Sequence, residues 1–374
     1  MIFVNYGGGG YYFFNHSTWN GLTVADLLFP WFVWIMGVTV GVTFKPPSSI
    51  SSRTSKFFNV LQRSVKLFCL GLLLNSTGTD GDLANLRIPG VLQYFAVSYL
   101  YLNILALLID SPSASRPRLF LGYGLGGLAL LFMYCVLTYA VPVPDCPMGY
   151  LGAGGTFDGA EHPLCTGGSH RYIDEKILTS SHYYSDPTCK GVYGCLPYDP
   201  EGIVGAFNAA FLSFLGFATG KIVRAIPTNP TGEDQSIFLR YNAILGVLLM
   251  TVGAVLCNFS ENNGIVPVNK NLWSPSFIFI CGGFANILFG LFYVLLDMRR
   301  SSASIPQNSK FTDPSFLASD DSPSTPLWDG WPLRSVGKNS ITLYMGHEIL
   351  DGAVPFAMFF TEKGRDEHWG VVGR

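Results

Sequence analysis

The chain has 374 residues, 49% hydrophobic and only 13% charged, with 23 Lys and Arg against 25 Asp and Glu for a net charge of -2. An average soluble domain carries about 25% charged residues, so this composition argues against a soluble enzyme. It also excludes a nucleic-acid binder, which needs clustered Lys and Arg to neutralise phosphates, and, with 29 Phe, 18 Tyr and 7 Trp, a disordered chain.

What is left is an all-α, polytopic membrane protein: a bundle of about eight complete transmembrane helices plus a partial one at the N-terminus. Met1-Ile2-Phe3-Val4 reads as the last turn of a span begun upstream, and 361–374 is polar with no further span, so a piece of a longer protein is expected. The segment from Asn5 to Asn20 follows as a polar loop holding four glycines and His16. A spanning helix needs about 20 mostly apolar residues to cross a hydrocarbon core about 30 Å thick. In chain order the predicted spans are 22–43, 57–75, 90–109, 119–141, 202–226, 237–257, 275–296 and 335–360. Lipid offers backbone groups no partners, so each is expected to be helical.

Sidedness follows from Lys and Arg in the short loops. Lys45, Arg53, Lys56, Arg63 and Lys66, then Arg116 and Arg118, then Lys221 and Arg224, then Arg299, Arg300 and Lys310 fall on one side, predicted cytosolic. The opposite side has the long loop 142–201 with Cys146, Cys165, Cys189 and Cys195. An even set of cysteines in one exported loop predicts disulfides, with the pairing left open. The sequons at Asn15, Asn75 and Asn258 lie on the same luminal side. Loop 298–333, rich in Ser, Pro and Asp, reads as a flexible cytosolic linker. Gly37/Gly41, Gly122/Gly126 and Gly216/Gly220 have the spacing of close helix packing.

The candidates for chemistry gather at the luminal mouth. A neutral His16 could take a proton or act as a nucleophile, and Asn5 could donate its amide N–H to a developing oxyanion. Asp26 reads either as a partner orienting the imidazole or as a carboxylate favoured by a helix N-terminus. Arg87 reads as a binder of an anionic substrate group or as an interfacial anchor. His347, Glu348 and Asp351 form a second polar group, with His347 and Asp351 on one helix face. The loop Ser260–Ser274 carries Asn269, Lys270 and Trp273, whose amide and aromatic character suits sugar hydroxyls or a plain connector. No zinc motif, P-loop or dinucleotide fingerprint is present, so no metal site is expected.

Several blocks resemble the heparan-α-glucosaminide N-acetyltransferase family of lysosomal membrane enzymes. They are Asn5-Tyr6-Gly7-Gly8-Gly9 through His16 to Phe32, Arg87-Ile88-Pro89-Gly90-Val91-Leu92-Gln93, Pro142 to Pro147 with Gly149-Tyr150-Leu151-Gly152, Tyr198 to Gly202, Pro267 to Ser274, and Gly346-His347-Glu348. They occur in the family's order and span nearly the whole chain. The resemblance implies one transmembrane acyltransferase domain over 1–374. It implies acetyl transfer from cytosolic acetyl-CoA, as co-substrate, to the terminal glucosamine of heparan sulfate in the lysosomal lumen. His16 would be the active-site histidine and Asn5 its partner at the acyl group. Asp26, Arg87, Asn269, Lys270, Trp273, His347 and Glu348 would shape the substrate site, and Arg63 and Lys66 would meet the phosphates of the donor. The bilayer is the expected partner, nucleic acid is not, and a homo-oligomer is left open. The alternatives are a related acyltransferase with another sugar acceptor, and a small-molecule transporter.

Overall fold

A computed structural model describes residues 2–5, 8–77, 83–111, 115–227, 230–298, 331 and 333–350. All regular structure among them is helical. The α-helices are α1 (Ile2–Asn5), α2 (Val24–Thr43), α3 (Ile50–Thr77), α4 (Val91–Ile109), α5 (Arg116–Tyr139), α6 (Ser169–Leu178), α7 (Lys190–Tyr193), α8 (Ile203–Ala225), α9 (Gly232–Leu256), α10 (Pro275–Leu296), α11 (Leu333–Lys338) and α12 (Ser340–Leu350). Seven of these, α2 to α5 and α8 to α10, are long and apolar enough to cross a membrane. They match the first seven predicted spans. The eighth is described only as far as α12, and most of loop 298–333, with Arg299, Arg300 and Lys310, lies outside the described residues, as does Asp351.

Two helix starts precede their predicted positions by five residues or more. Helix α3 begins at Ile50 rather than 57, because its first turns hold Arg53 and Lys56, whose charges hydropathy rejects. Such side chains run an apolar stem along the helix and keep the charge at the interface. Helix α9 begins at Gly232, where the Thr231 hydroxyl accepts from the Asp234 amide at 3.2 Å and the Asp234 carboxylate accepts from the Thr231 amide at 2.9 Å. This reciprocal cap satisfies donors that have no helical partner.

Helix α8 is the centre, packed on α2, α4, α5 and α10; α9 lies on α10, and α3 on α4. The α2–α8 contact is close to backbone-on-backbone. A Cβ added at Gly37 would meet the Ser213 carbonyl oxygen at 1.9 Å, one at Gly216 the Trp34 oxygen at 2.1 Å, and one at Gly220 the Val38 oxygen at 2.3 Å. Two of the three glycine pairs read from the sequence, Gly37/Gly41 and Gly216/Gly220, therefore pack on each other. In lipid this proximity matters, because helix association relies on packing rather than on apolar burial. Around it lie Phe29, Val33, Trp34, Leu212, Phe277 and Ile278, all buried.

At the end predicted cytosolic, Lys221 pairs with Asp110, which also accepts from the Tyr123 hydroxyl at 2.7 Å. At the opposite end, called luminal below, loop 142–201 folds into a cap. Its cysteines pair as Cys146–Cys165 and Cys189–Cys195. Trp19, Ala153, Cys189, Cys195, Tyr198 and Leu272 form a second buried cluster between cap and bundle. The Trp19 indole donates to the Leu151 carbonyl at 2.8 Å, and the Tyr198 hydroxyl to the Asn271 carbonyl at 2.7 Å. Of the three sequons, Asn15 and Asn258 are exposed. Asn75 is engaged: its side-chain amide donates to the carbonyls of Arg87 and Pro89, each at 2.8 Å.

Candidate active site

The site is built where the first luminal segment enters α2. Thr23 precedes the helix and Asp26 lies in its first turn. One oxygen of Asp26 accepts from the Thr23 amide at 3.1 Å, the Thr23 hydroxyl at 3.0 Å and the Ser17 amide at 3.2 Å. The other lies 2.7 Å from His16 Nδ1. Asp26 therefore bonds both the helix entry and the imidazole.

The contact fixes the tautomer. A charged carboxylate oxygen at 2.7 Å from a ring nitrogen requires a proton between them. Nδ1–H donates to Asp26, and Nε2 carries the lone pair. Lys270 Nζ lies 3.0 Å from Nδ1 and 3.6 Å from the same Asp26 oxygen. With Nδ1 already donating, the ammonium acts as a cation beside Asp26, offsetting its charge, rather than as a donor to the ring. The side chain of His16 is 36% exposed while that of Asp26 is 0% exposed. The imidazole can be reached by a ligand; the carboxylate acts only through it.

His16 opens on a polar cavity of about 450 Å³ lined also by Asn5, Lys270, Arg87, Glu201 and Tyr184. Asn5 stands on α1, and its Nδ2 donates to His347 Nε2 at 2.9 Å. The two histidines thus meet the cavity differently: His16 lines it, and His347 holds Asn5. His347 is buried beside Asn5 rather than on the cavity wall. Glu348 follows it on α12, and its side chain lies outside the described residues.

Three expectations, for Arg87, Asn269 and Trp273, are corrected. Arg87 does not present a free cation to an anionic substrate. Its Nε donates to Asp199 at 2.8 Å, and its Nη2 donates to Asp199 at 2.6 Å and to Glu201 at 2.5 Å. Burial opposes the charge, but the two carboxylates hold the guanidinium protonated well above its ordinary range. Asn269 is fully buried and bonded, donating to Asn20 Oδ1 at 3.0 Å and accepting from the Leu272 amide at 2.9 Å. Trp273 is likewise fully buried, against Phe29, Tyr94 and Phe277, and offers no face to a sugar. Both serve as the frame that presents Lys270. Arg63 and Lys66 are exposed on α3 and line no part of the cavity; Arg63 sits 4.8 Å from the Tyr99 ring centre.

The residue-level reading missed the far wall. Tyr184, Asp186 and Thr188 come from the cap, and Asp199 and Glu201 hold Arg87. The block Tyr198 to Gly202 was visible in the sequence, but nothing in its spacing pointed to Arg87, more than a hundred residues earlier. His170 shows the contrast with His16. It is buried, touches Thr138 Oγ1 at 3.0 Å, and burial lowers its pKa to about 3, so it stays neutral as a packing group. Among the described residues no group of three or more His, Cys, Asp or Glu side chains is gathered to hold a metal.

No profile of a known protein family matches the chain. It is 36% identical over 381 residues to the heparan-alpha-glucosaminide N-acetyltransferase of Homo sapiens, which covers 95% of this chain and 52% of that protein. It is 35% identical over 394 residues to the Mus musculus protein of the same name, covering 98% of this chain and 54% of that one. The chain spans about half the length of the curated relatives it matches. Over nearly its whole length, then, this all-helical membrane chain is similar to the heparan-alpha-glucosaminide N-acetyltransferases, as its motif blocks suggested.

Proposed function

We propose that the chain carries the catalytic bundle of a transmembrane acetyltransferase of the lysosomal membrane. It moves acetyl from cytosolic acetyl-CoA to the terminal glucosamine of heparan sulfate on the luminal side. The observation that supports this best is the His16–Asp26 contact at the mouth of a polar cavity, in a chain so similar to named acetyltransferases.

The chemistry follows from the tautomer. In direct transfer, the substrate amine attacks the thioester carbonyl carbon while His16 Nε2 takes the amine proton. The tetrahedral oxyanion collapses, the C–S bond breaks, and the thiolate leaves and is protonated. In the two-step route, Nε2 itself attacks the thioester and expels the thiolate; the amine then attacks the acetyl carbon, the C–Nε2 bond breaks, and the freed Nε2 takes the amine proton, which passes on to the thiolate. Both routes use the same nitrogen, and in both Asp26 stabilises the positive imidazole. Asn5, which also lines the cavity, is the residue assigned to donate a side-chain N–H to the developing oxyanion. On the cytosolic face Arg63 and Lys66 are exposed cations suited to the phosphates of the donor.

The test is acetyl transfer from labelled acetyl-CoA to a glucosamine-terminated acceptor by purified protein in detergent. Label in the acceptor, and none in an acceptor already N-acetylated, is expected. Solute flux in proteoliposomes without acetyl-CoA consumption would instead establish the transporter alternative.

A further inference from the structure

Gln93 stands at the start of α4, in the block Arg87 to Gln93, and nothing above gives it a role. Its side chain is 5% exposed, and neither its Oε1 nor its Nε2 has a hydrogen-bond partner among the described residues. Leaving a buried amide unpaired is costly, and native proteins rarely do so without a reason. Other buried polar atoms lack partners too, among them Trp34 Nε1, Ser98 Oγ and Ser213 Oγ. Those lie within the bundle away from the polar cavity, whereas Gln93 lines the cavity together with His16.

Two glycines leave the room that the amide occupies. A Cβ added at Gly71 would meet Gln93 Oε1 at 2.5 Å, and one at Gly90 would meet it at 2.9 Å. Any larger residue at either position would push the amide aside. Asn75 stands next to it: a Cβ at Gly90 would also lie 3.4 Å from Asn75 Nδ2. That nitrogen already serves the carbonyls of Arg87 and Pro89, so Asn75 has its oxygen to offer as an acceptor. The two side chains give a neutral, planar set of donors and acceptors in the wall of the cavity that the ion-paired Arg87 and His16 also line.

We infer that Gln93 is a specificity-determining residue that binds adjacent ring hydroxyls of the sugar acceptor. A primary amide presents an N–H donor and a C=O acceptor along one edge. Adjacent hydroxyls on a pyranose, each donor and acceptor, match that edge. An amine or a phosphate would call for a charged partner instead, and Arg87 is already committed. The inference rests on the acetyltransferase reading, and names the part of the acceptor that this wall recognises.

The test pairs Gln93 variants with acceptor analogues. Gln93→Met keeps the length and removes the polar edge; Gln93→Asn keeps the amide but withdraws it by one methylene. With the glucosamine-terminated acceptor, each variant is expected to lose about 10- to 100-fold in kcat/KM, mostly through KM, while KM for acetyl-CoA stays within about twofold. Acceptors lacking the 3- or the 4-hydroxyl are expected to lose a similar factor with the unaltered protein and little more with Gln93→Met. The melting temperature of Gln93→Met is expected to equal or exceed that of the unaltered protein. Full activity in both variants, equal added penalties from deoxygenation in variant and parent, or a clear drop in melting temperature for Gln93→Met would each overturn the inference. If the parent acetylates the sugar and only these results fail, the acetyltransferase reading stands. If the parent transfers no acetyl to any glucosamine acceptor, both fall.

Discussion

The membrane interior and the luminal cap are held together by different physics. In the interior, α2 and α8 meet through Gly37, Gly41, Gly216 and Gly220, so that carbonyl oxygens of one helix fill the space where the other would carry a Cβ. The cap depends on two disulfides and on charged groups that would be costly to bury alone: the Arg87–Asp199–Glu201 ion pairs, and a carboxylate, Asp174, set against the N-terminus of α8. Polar and charged side chains therefore gather at the cap end of this fold. Lipid-facing helices give the site rigidity, and the cap gives it polarity, one wall of the cavity and shelter. His16 and Lys270 sit at the join.

The largest break of that comparison is expected at Gly37. Replacing Gly37 with Leu would force a side chain into the Ser213 carbonyl, where a Cβ alone would stand at 1.9 Å. Backbone cannot rotate aside as a side chain does, so the cost should exceed the usual ~1–3 kcal/mol of overpacking. Loss of the monodisperse peak in detergent gel filtration is the expected readout, while Gly124→Ala, where nothing lies within 4 Å, should leave it unchanged.

Arg87→Ala attacks the cap instead. It leaves Asp199, whose side chain is 0% exposed, without its cation, and removing one partner of a buried pair costs about 3–5 kcal/mol. A lowered melting temperature and faster proteolysis within 142–201 are expected, with the bundle still helical by circular dichroism.

The smallest effect concerns Asp174. Burial raises its pKa from 3.8 to about 7; the hydrogen bond from the Ile203 amide opposes this and Asp199 adds to it. A carboxyl whose pKa is raised on folding holds its proton more tightly when folded. Its contribution to stability is fully present below pH 3.8 and is lost as pH rises through about 7. Three units amount to at most about 4 kcal/mol. Cap stability should therefore fall between pH 4 and 7, and Asp174→Asn should flatten that slope. An unchanged slope in the variant would remove Asp174 as its source.

Much of this architecture was legible in the sequence. Runs of about 20 apolar residues mark the seven described spans, since membrane thickness sets helix length whatever the packing. The cap cysteines were legible as disulfides, but their pairing depends on how the loop folds. Gly37 and Gly216 were legible as packing positions; that they face each other is a fact of three dimensions. At the site, His16 and Asp26 are ten residues apart and could be linked on the page. Arg87 and Asp199 could not. Asn269 and Trp273 were read as ligand-facing because their chemistry suits sugars, and side-chain type alone does not say which way a loop turns.

In the proposed function His16, held by Asp26, carries the transfer of acetyl. The most direct measurement is the turnover of His16→Ala beside Asp26→Asn and the double variant, each verified as folded. The account predicts that His16→Ala lowers kcat by about 10³-fold or more, that Asp26→Asn loses about 10²–10⁴-fold by releasing the tautomer, and that the double variant is no worse than His16→Ala alone, because the two act as one unit. Normal turnover in folded His16→Ala, or losses that simply multiply in the double variant, would contradict it.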